Sequence, residues 1–381
     1  MKINNLNLCY CLNAFNLPTL ENEKKFSKIH NCFNKVRNSI NFNESFALGL
    51  WTNAKFIDQC KYHGFLDYIK KFLKEYNYSV FTLNAFPYGE FHNIKVKEKV
   101  YRPDWRDQKR LDFTCKSADI LKELLPLGVQ GSISSVPGAY KYDLKNLPID
   151  NLLIAKHLIK TAEYFSRIYE NTGKKIILAL EMEPDCLWES PVEFVEFYQK
   201  YLSENKYATE YIGVCYDTSH QELIHRLNPG SGLQFFIDNN IKIAKIQLSA
   251  ALKTKQATIL DFQDLKSFDE YVYLHQTRLF SSTGNIMKSF RDIPETFNGA
   301  TDGFLSSHFH IPVFIEDISD RLLPAKSELK AVLNLLKKTP KICSNIEIET
   351  YTYNVLPQIL NKKTLIENIT EEYKWIIKSL T

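Results

Sequence analysis

Gly213-Val-Cys-Tyr-Asp-Thr-Ser-His220 is the stretch on which the reading of this chain turns. A short apolar run ends in the carboxylate of Asp217, and an imidazole follows three residues later at His220. In parallel α/β barrels the strands are buried on both faces and read as apolar runs, and the chemistry sits at their C-terminal ends. An Asp at such an end, with a His one turn beyond, is a layout that suits a metal-dependent site. The rest of the chain reads as seven further strands around this one.

Three neighbouring strands repeat the pattern. Lys175-Ile-Ile-Leu-Ala-Leu-Glu181 is the fifth strand, Ile241-Lys-Ile-Ala-Lys-Ile-Gln-Leu248 the seventh and Asn345-Ile-Glu-Ile-Glu349 the eighth. Upstream, Leu6–Asn13, Phe46–Leu50, Ser79–Asn84 and Gly131–Val136 read as strands one to four. Helical spacing of apolar residues predicts helices over roughly 19–40, 54–75, 107–125, 151–171, 231–239 and 327–338, and a last helix that carries Trp375. Ser190-Pro191 with Glu193, and Thr364 with Glu367, are capping boxes that open helices. Eight strands, mostly separated by helices, predict a (β/α)8 TIM barrel. A doubly wound open sheet is the alternative, weakened because no Gly-rich phosphate loop follows the first strand and carboxylates recur on several strand ends. One barrel domain over residues 1–381 is the expectation. An insertion at 250–325, where no clean strand–helix unit is visible, is expected to fold over the C-terminal mouth and bring His308 and His310 to it.

The totals bound the function. The chain has 381 residues, within the range of one α/β barrel with insertions. It is 44% hydrophobic and 24% charged, enough apolar side chain for a large core. Its 48 basic and 44 acidic residues are interspersed, for a net charge of +4, with no basic stripe, so no nucleic-acid partner is expected. Cys9, Cys11, Cys32, Cys60, Cys115, Cys186, Cys215 and Cys343 form no CxxC pair and read as small buried hydrophobes in a reducing compartment. No charged-then-apolar leader and no run approaching ~20 apolar residues is visible, so the expected location is the cytoplasm, without a transmembrane segment.

Glu181 (or Glu183), Asp217, Gln247 and Glu349 (or Glu347) thus recur at the ends of strands five to eight. A carboxylate buried there is costly unless paired, hydrogen-bonded or metal-bound, and a divalent cation is the simplest neutraliser of three converging acids. Oxygen-rich ligands with Gln and imidazoles suit Mn, Mg, Fe or Zn. Helix capping and pairing with Lys or Arg are the structural alternative at each single position. Within Glu181-Met-Glu183 and Glu347-Ile-Glu349 the period of two puts both acids on one face, so one member serves as ligand and the other as base. Glu181 and Glu349 are the preferred ligands, and Glu183 and Glu347 the preferred catalytic members. His220 is a candidate proton donor or ligand of a second ion. His308 and His310 form a His-x-His pair of candidate ligands. His92 and Arg102, in the long aperiodic segment 85–106, and His275 are candidate substrate contacts. No GxSxG, GxxxxGK[ST], HExxH or GxGxxG motif is present.

With these residues placed, the chain resembles the xylose-isomerase-like barrel superfamily, whose pattern is Glu on strand five, Asp with a following His on strand six, His or Gln on strand seven and Glu on strand eight. A closer resemblance is to the EboE family of metabolite traffic proteins. It is carried by Thr82-Leu-Asn-Ala-Phe-Pro-Tyr-Gly-Glu-Phe-His92, Val100-Tyr-Arg-Pro-Asp-Trp-Arg-Asp107, Gly131-Ser-Ile-Ser-Ser-Val-Pro-Gly138, Leu178-Ala-Leu-Glu-Met-Glu-Pro184, Gly213–His220, His308-Phe-His-Ile-Pro-Val313 and Ile346-Glu-Ile-Glu-Thr-Tyr-Thr352 with Leu356-Pro357. Two departures occur: Leu12-Asn13-Ala14-Phe15 stands where a His-Pro-Gly-like continuation is expected, and Met182 where Pro is expected. The resemblance implies a gene-cluster protein tied to moving or maturing a small prenylated or aromatic metabolite, with partners encoded nearby. Three functional readings follow: a metal-dependent isomerase- or epimerase-like enzyme, a metabolite-binding protein without turnover, and an endonuclease IV-type phosphodiesterase, which the near-neutral charge disfavours.

Overall fold

Eight short strands, each buried along most of its length, pair side by side in parallel and close on themselves. In this computed structural model, which describes residues 1–15, 24–62, 64–92, 95–144, 150–224, 228–296, 301–360 and 362–381, the barrel strands are β1 (Leu6–Cys11), β2 (Phe46–Trp51), β3 (Thr82–Asn84), β4 (Gly131–Ser135), β5 (Ile176–Glu181), β6 (Ile212–Asp217), β7 (Lys242–Leu248) and β8 (Asn345–Ile348). Each pairs with its successor, and β8 pairs with β1 through Ile346↔Leu8 and Glu347↔Cys9, which closes the cylinder. The expected eight-stranded parallel barrel is therefore the fold.

Helices fill the crossovers. The stripe predicted over 151–171 forms Asn151–Thr172, capped by Asp150 and ended by Gly173 at φ 68°, the left-handed conformation glycine adopts freely. Both predicted capping boxes form, at Ser190/Glu193 and Thr364/Glu367. The single helix expected over 54–75 is two, Ala54–Gln59 and Phe65–Glu75, because Gly64 at φ 96° breaks the run. The first residues of the helix expected from 19 lie outside the described residues; Lys24–Ser39 is helical. Helix Ser327–Lys338 has no side-chain cap of its own. Glu222 supplies one from a distance, accepting from the Glu328 N–H at 2.6 Å and the Ser327 hydroxyl at 2.7 Å.

The aperiodic 250–325 segment contains a five-stranded antiparallel sheet of Ala250–Thr254, Thr277–Phe280, Ile286–Phe290, Phe304–Ile311 and Leu322–Ala325. The segment thus holds no strand–helix repeat, as its sequence suggested, but a sheet whose strands the sequence did not mark. Phe304–Ile311 is buried almost throughout and Ile286–Phe290 is mostly exposed, so neither shows the alternation by which strands are recognised. The sheet starts one residue after β7 ends, and its longest strand carries His308 and His310.

Inside the barrel Lys245 of β7 and Glu347 of β8 form an ion pair of 2.6 Å, both fully buried. Burial alone would lower Lys245, but Glu347 outweighs it and holds the ammonium well above its usual range. Cys9, Cys11 and Cys215 are also buried in the strands, and all eight cysteines are free and buried. Gly49 of β2 makes room for the pair, since a Cβ there would collide with Glu347 Oε1. Gly49→Ala is expected to separate the ions and lower the unfolding free energy by about 3 kcal/mol, as breaking a buried pair does. Urea denaturation measures this; a loss below about 1 kcal/mol would mean that the pair relaxes around the methyl.

Candidate metal centre

Asp217 ends β6 and caps the short helix Thr218–Gln221. Its Oδ1 accepts from the N–H groups of Ser219 (2.6 Å) and His220 (3.3 Å) and from the Ser249 hydroxyl (3.0 Å). Oδ2 is left buried with no hydrogen-bond partner. The two readings open at this position, cap and ligand, thus use different oxygens of one carboxylate. Glu349, just beyond β8, repeats the arrangement: its Oε1 accepts from Asn13 Nδ2 (2.8 Å) and Asn84 Nδ2 (3.0 Å), and its Oε2 has no partner. Glu181 at the end of β5 also has an unpartnered Oε2. Three acids from three strands therefore each keep one oxygen uncommitted in a dry site.

The imidazoles are oriented by their far nitrogens. His220 Nδ1 lies 2.9 Å from the Met182 carbonyl and His310 Nδ1 2.9 Å from the Glu349 carbonyl. Carbonyls accept only, so both Nδ1 atoms carry protons. His308 Nδ1 is 2.9 Å from Gln276 Oε1. The Gln276 amide nitrogen donates to the Tyr101 hydroxyl (2.6 Å) and the Pro184 carbonyl (3.1 Å), which identifies Oε1 as the acceptor for His308. All three Nε2 atoms are thereby turned into the site, and those of His308 and His310 face each other at 3.0 Å. Two lone pairs at that separation repel unless a proton or a cation lies between them. Ligand atoms of His220, His308 and His310 lie within 4.8 Å of one another, as do those of Glu181, Glu183 and His220, and of Asp217, His310 and Glu349. The residues fit a divalent cation: uncommitted carboxylate oxygens and imidazole nitrogens converge, and each imidazole is held by a second partner.

The shared burial of these groups sets their electrostatics. Burial pushes Glu181 up to about 8, although His220 opposes it. Burial, with the charges of Glu181 and Asp217, drives Glu349 well above the usual range. Burial would also raise Asp217, but His220, His310, the Ser219 N–H and the Ser249 hydroxyl outweigh it and hold this acid low. Burial would lower His220, but Asp217, Glu183 and Glu181 lift it to about 9. Burial and the neighbouring His220 depress His308, and burial takes His310 to about 4. Protons thus do part of the neutralising that a cation would do.

Glu183 lies beside this group. Its Oε1 accepts from the Tyr101 hydroxyl (3.0 Å) and its Oε2 is 3.2 Å from His220 Nε2. Gln247, the register partner of Asp217, is fully buried; its Oε1 accepts from Cys215 Sγ at 3.0 Å and its Nε2 has no partner. Turning this amide end for end would free its oxygen and let its nitrogen donate to the sulfur.

Four sequence candidates fall elsewhere. Glu347 is not at the mouth: it pairs with Lys245, two residues deeper along the strand than Glu349, so the shared-face argument holds but the depth is wrong. Arg102 is 55% exposed and bound to Asp143, with Nε 2.7 Å from Oδ2, a surface pair rather than an anion clamp. His275 is buried with both nitrogens engaged, Nδ1 on the His308 carbonyl (2.8 Å) and Nε2 on Glu270 (3.0 Å), so it braces the strand that holds His308. His92 bonds the Tyr273 hydroxyl at 2.7 Å and packs edge-on against Trp51, behind the cavity wall. The residues that sequence reasoning passed over are Asn13, Asn84, Tyr101, Lys245 and Gln276. Asn13 and Asn84, polar residues at the ends of the first and third strands, carried a signal; Gln276 carried none.

The site floors a cavity of about 630 Å3, counting its open mouth, with Trp51, Phe86, Phe91, Tyr273 and Tyr351 in its walls.

No protein-family model and no curated protein sequence matches the chain. Solved structures do: the IolI protein with a bound zinc atom, at 15% identity over 98% of both chains and a TM-score of 0.50, and a xylose isomerase-like TIM barrel protein from Mycobacterium smegmatis in complex with magnesium, at 10% identity over 99% of this chain and 97% of that one, with a TM-score of 0.54. The structural neighbours are thus xylose isomerase-like TIM barrels, and at these identities the likeness establishes the fold. No described helix is long and apolar enough to cross a membrane.

The raised groups set a pH dependence. An unfolded chain releases these protons near 4.5 for Glu181 and 6.5 for His220, whereas the folded chain keeps them to about 8 and 9. Their contribution to stability is full below the unfolded values and is lost as pH rises through the folded ones. His308 and His310, both lowered, act mainly below 6.5; the Met1 amino group, taken by burial from 8.0 to about 5, works against the trend up to pH 8 but offsets only one of the two protons. In chelator, the melting temperature is therefore expected to fall between pH 6.5 and 9. A divalent cation should flatten that slope and release protons on binding, read with an indicator dye. A chelated protein that gains stability over this interval would contradict the assignment.

Proposed function

We propose that this protein is a metal-dependent barrel enzyme of isomerase or epimerase type, moving a proton next to the carbonyl of a small metabolite. The observation that carries the reading is the convergence of three unpartnered carboxylate oxygens and three imidazole Nε2 atoms at one barrel mouth. Glu181, Asp217 and Glu349 would hold a divalent ion (Mn, Mg, Zn or Fe), with His308 and His310 completing the donor set and Gln247 joining through a turned amide. When bound, such an ion polarises the carbonyl and hydroxyl oxygens of a substrate. The zinc of IolI and the magnesium of the Mycobacterium smegmatis protein accord with a cation here.

Glu183 is the base. The Tyr101 hydroxyl holds its Oε1, and burial raises its pKa, so it takes up a proton more readily than an exposed Glu. His220, 3.2 Å from Glu183 Oε2, is the proton donor on the same side. The aromatic walls of the cavity limit the water that reaches the transferred proton. Membership in the EboE family, work beside partners from one gene cluster and a cytoplasmic location complete the proposal, supported by the long matching stretches from Thr82 to Pro357. If the site holds a metabolite without turnover, the same residues act as its binding site.

Protein purified without chelator is expected to carry a divalent metal, measured by elemental analysis, and Asp217→Asn to lose most of it. Undetectable metal, with Asp217→Asn leaving metal content and melting temperature unchanged, would sink the metal-centre reading. Solvent deuterium should enter the carbon next to the carbonyl of a substrate, and Glu183→Gln should slow this by about 10²-fold or more while retaining the metal. Metal without exchange, across a panel of ketoses and aryl hydroxyketones, would select the binding reading over the catalytic one.

A further inference from the structure

The cavity has two unlike ends. Its floor is the acid and imidazole cluster. Above it four rings meet: Phe91 lies 5.8 Å from Trp51, 5.0 Å from Tyr273 and 5.4 Å from Tyr351, between ring centroids. The Tyr351 ring also lies 4.7 Å from that of His310, tilted by 45°, so the ring wall begins where the floor ends. Val100 and Leu274 add apolar surface.

The polar atoms of this upper wall are largely committed to the protein. The Trp51 indole N–H donates to the Phe15 carbonyl at 3.0 Å. The Tyr273 hydroxyl is bonded to His92. Asn13 and Asn84 spend their amide nitrogens on Glu349. Among the described lining residues above the floor, the cationic side chain is Lys97, which binds Asp292 at 2.6 Å and the Glu270 carbonyl at 3.0 Å. Among the described lining side chains above the floor, the buried Asn13 Oδ1 atom has no protein partner.

A sugar or linear polyol needs a partner for each hydroxyl it buries, because an unmatched hydroxyl forfeits its bonds to water. This wall cannot supply them. A phosphate or carboxylate on the far end needs a free cation, and Lys97 is already paired. We infer that the ligand of this cavity is an uncharged molecule with a hydroxy-carbonyl head for the floor and an apolar ring for the aromatic wall, rather than a polyol or a sugar phosphate. The inference rests on the metal-centre reading for the head and on the wall alone for the body.

Three probes separate these classes by titration calorimetry on the full chain, with a divalent cation and with chelator: 2-hydroxyacetophenone, D-fructose and D-fructose 6-phosphate. The aryl ketol is expected to bind at least tenfold more tightly than fructose, as burial of a ring implies, and the phosphate no more tightly than fructose. Fructose equal to or tighter than the aryl ketol, a phosphate that tightens binding, or no binding of the aryl ketol would each overturn the inference. Phe91→Ala is expected to weaken the aryl ketol about tenfold and to leave metal content unchanged; Phe91→Leu, which keeps the bulk, serves if the first variant folds poorly. Unchanged affinity in the folded variant overturns the role of the wall. Ring-dependent binding that is identical with cation and with chelator would fail the metal reading, and with it the hydroxy-carbonyl head, while the apolar-ring body of the ligand stands on the wall.

Discussion

Four carboxylates, those of Glu181, Glu183, Asp217 and Glu349, are nearly dry and share one barrel mouth. Like charges so placed repel strongly where water is scarce, and every other feature of the site answers that repulsion. Asn13 and Asn84 hold one oxygen of Glu349, the backbone and Ser249 hold one of Asp217, and Tyr101 holds one of Glu183. His220 supplies the nearest positive charge. Deeper in the barrel, Glu347 has its own counterion in Lys245 and adds no net charge to the mouth.

The barrel supplies the acids and the inserted sheet supplies most of the imidazoles. His308 and His310 come from its longest strand, and Gln276 immediately precedes its strand Thr277–Phe280. Gln276 joins the two sets: one amide group orients His308 through its oxygen and reaches Tyr101, hence Glu183, through its nitrogen. A residue that touches neither proposed ion nor substrate thus fixes the proton positions of both a ligand and a base.

The strands and their terminal acids were legible because an apolar run ending in a carboxylate is costly to bury without a reason. The capping boxes and the Gly173 stop were legible because their chemistry is local. Lys245 was hidden because a lysine within a strand reads as a solvent-facing residue until the strand is known to line a closed interior. Glu347 had the right face, but sequence periodicity says nothing of depth, and two residues of rise move a side chain about 7 Å along the axis. The inserted sheet escaped because its strands are short and either wholly buried or mostly bare, so no alternation marks them. His275 was singled out in place of its neighbour Gln276 because an imidazole attracts attention and an amide does not, although only the amide orients a proposed ligand.

The last strand closes the barrel against the first, with Glu347 level with Cys9, and Glu349 follows directly to meet Asn13. The two ends of the cylinder are thus tied together at the same place where the acids gather. Anything bound by Glu349 together with Glu181 and Asp217 ties the closing strand to strands five and six, while Asn13, just past the first strand, holds the other oxygen of Glu349. Such a ligand works as a clasp: it binds only the closed cylinder, so its binding free energy is added to the stability of the seam. Occupancy of the mouth and integrity of the barrel are then two readings of one equilibrium.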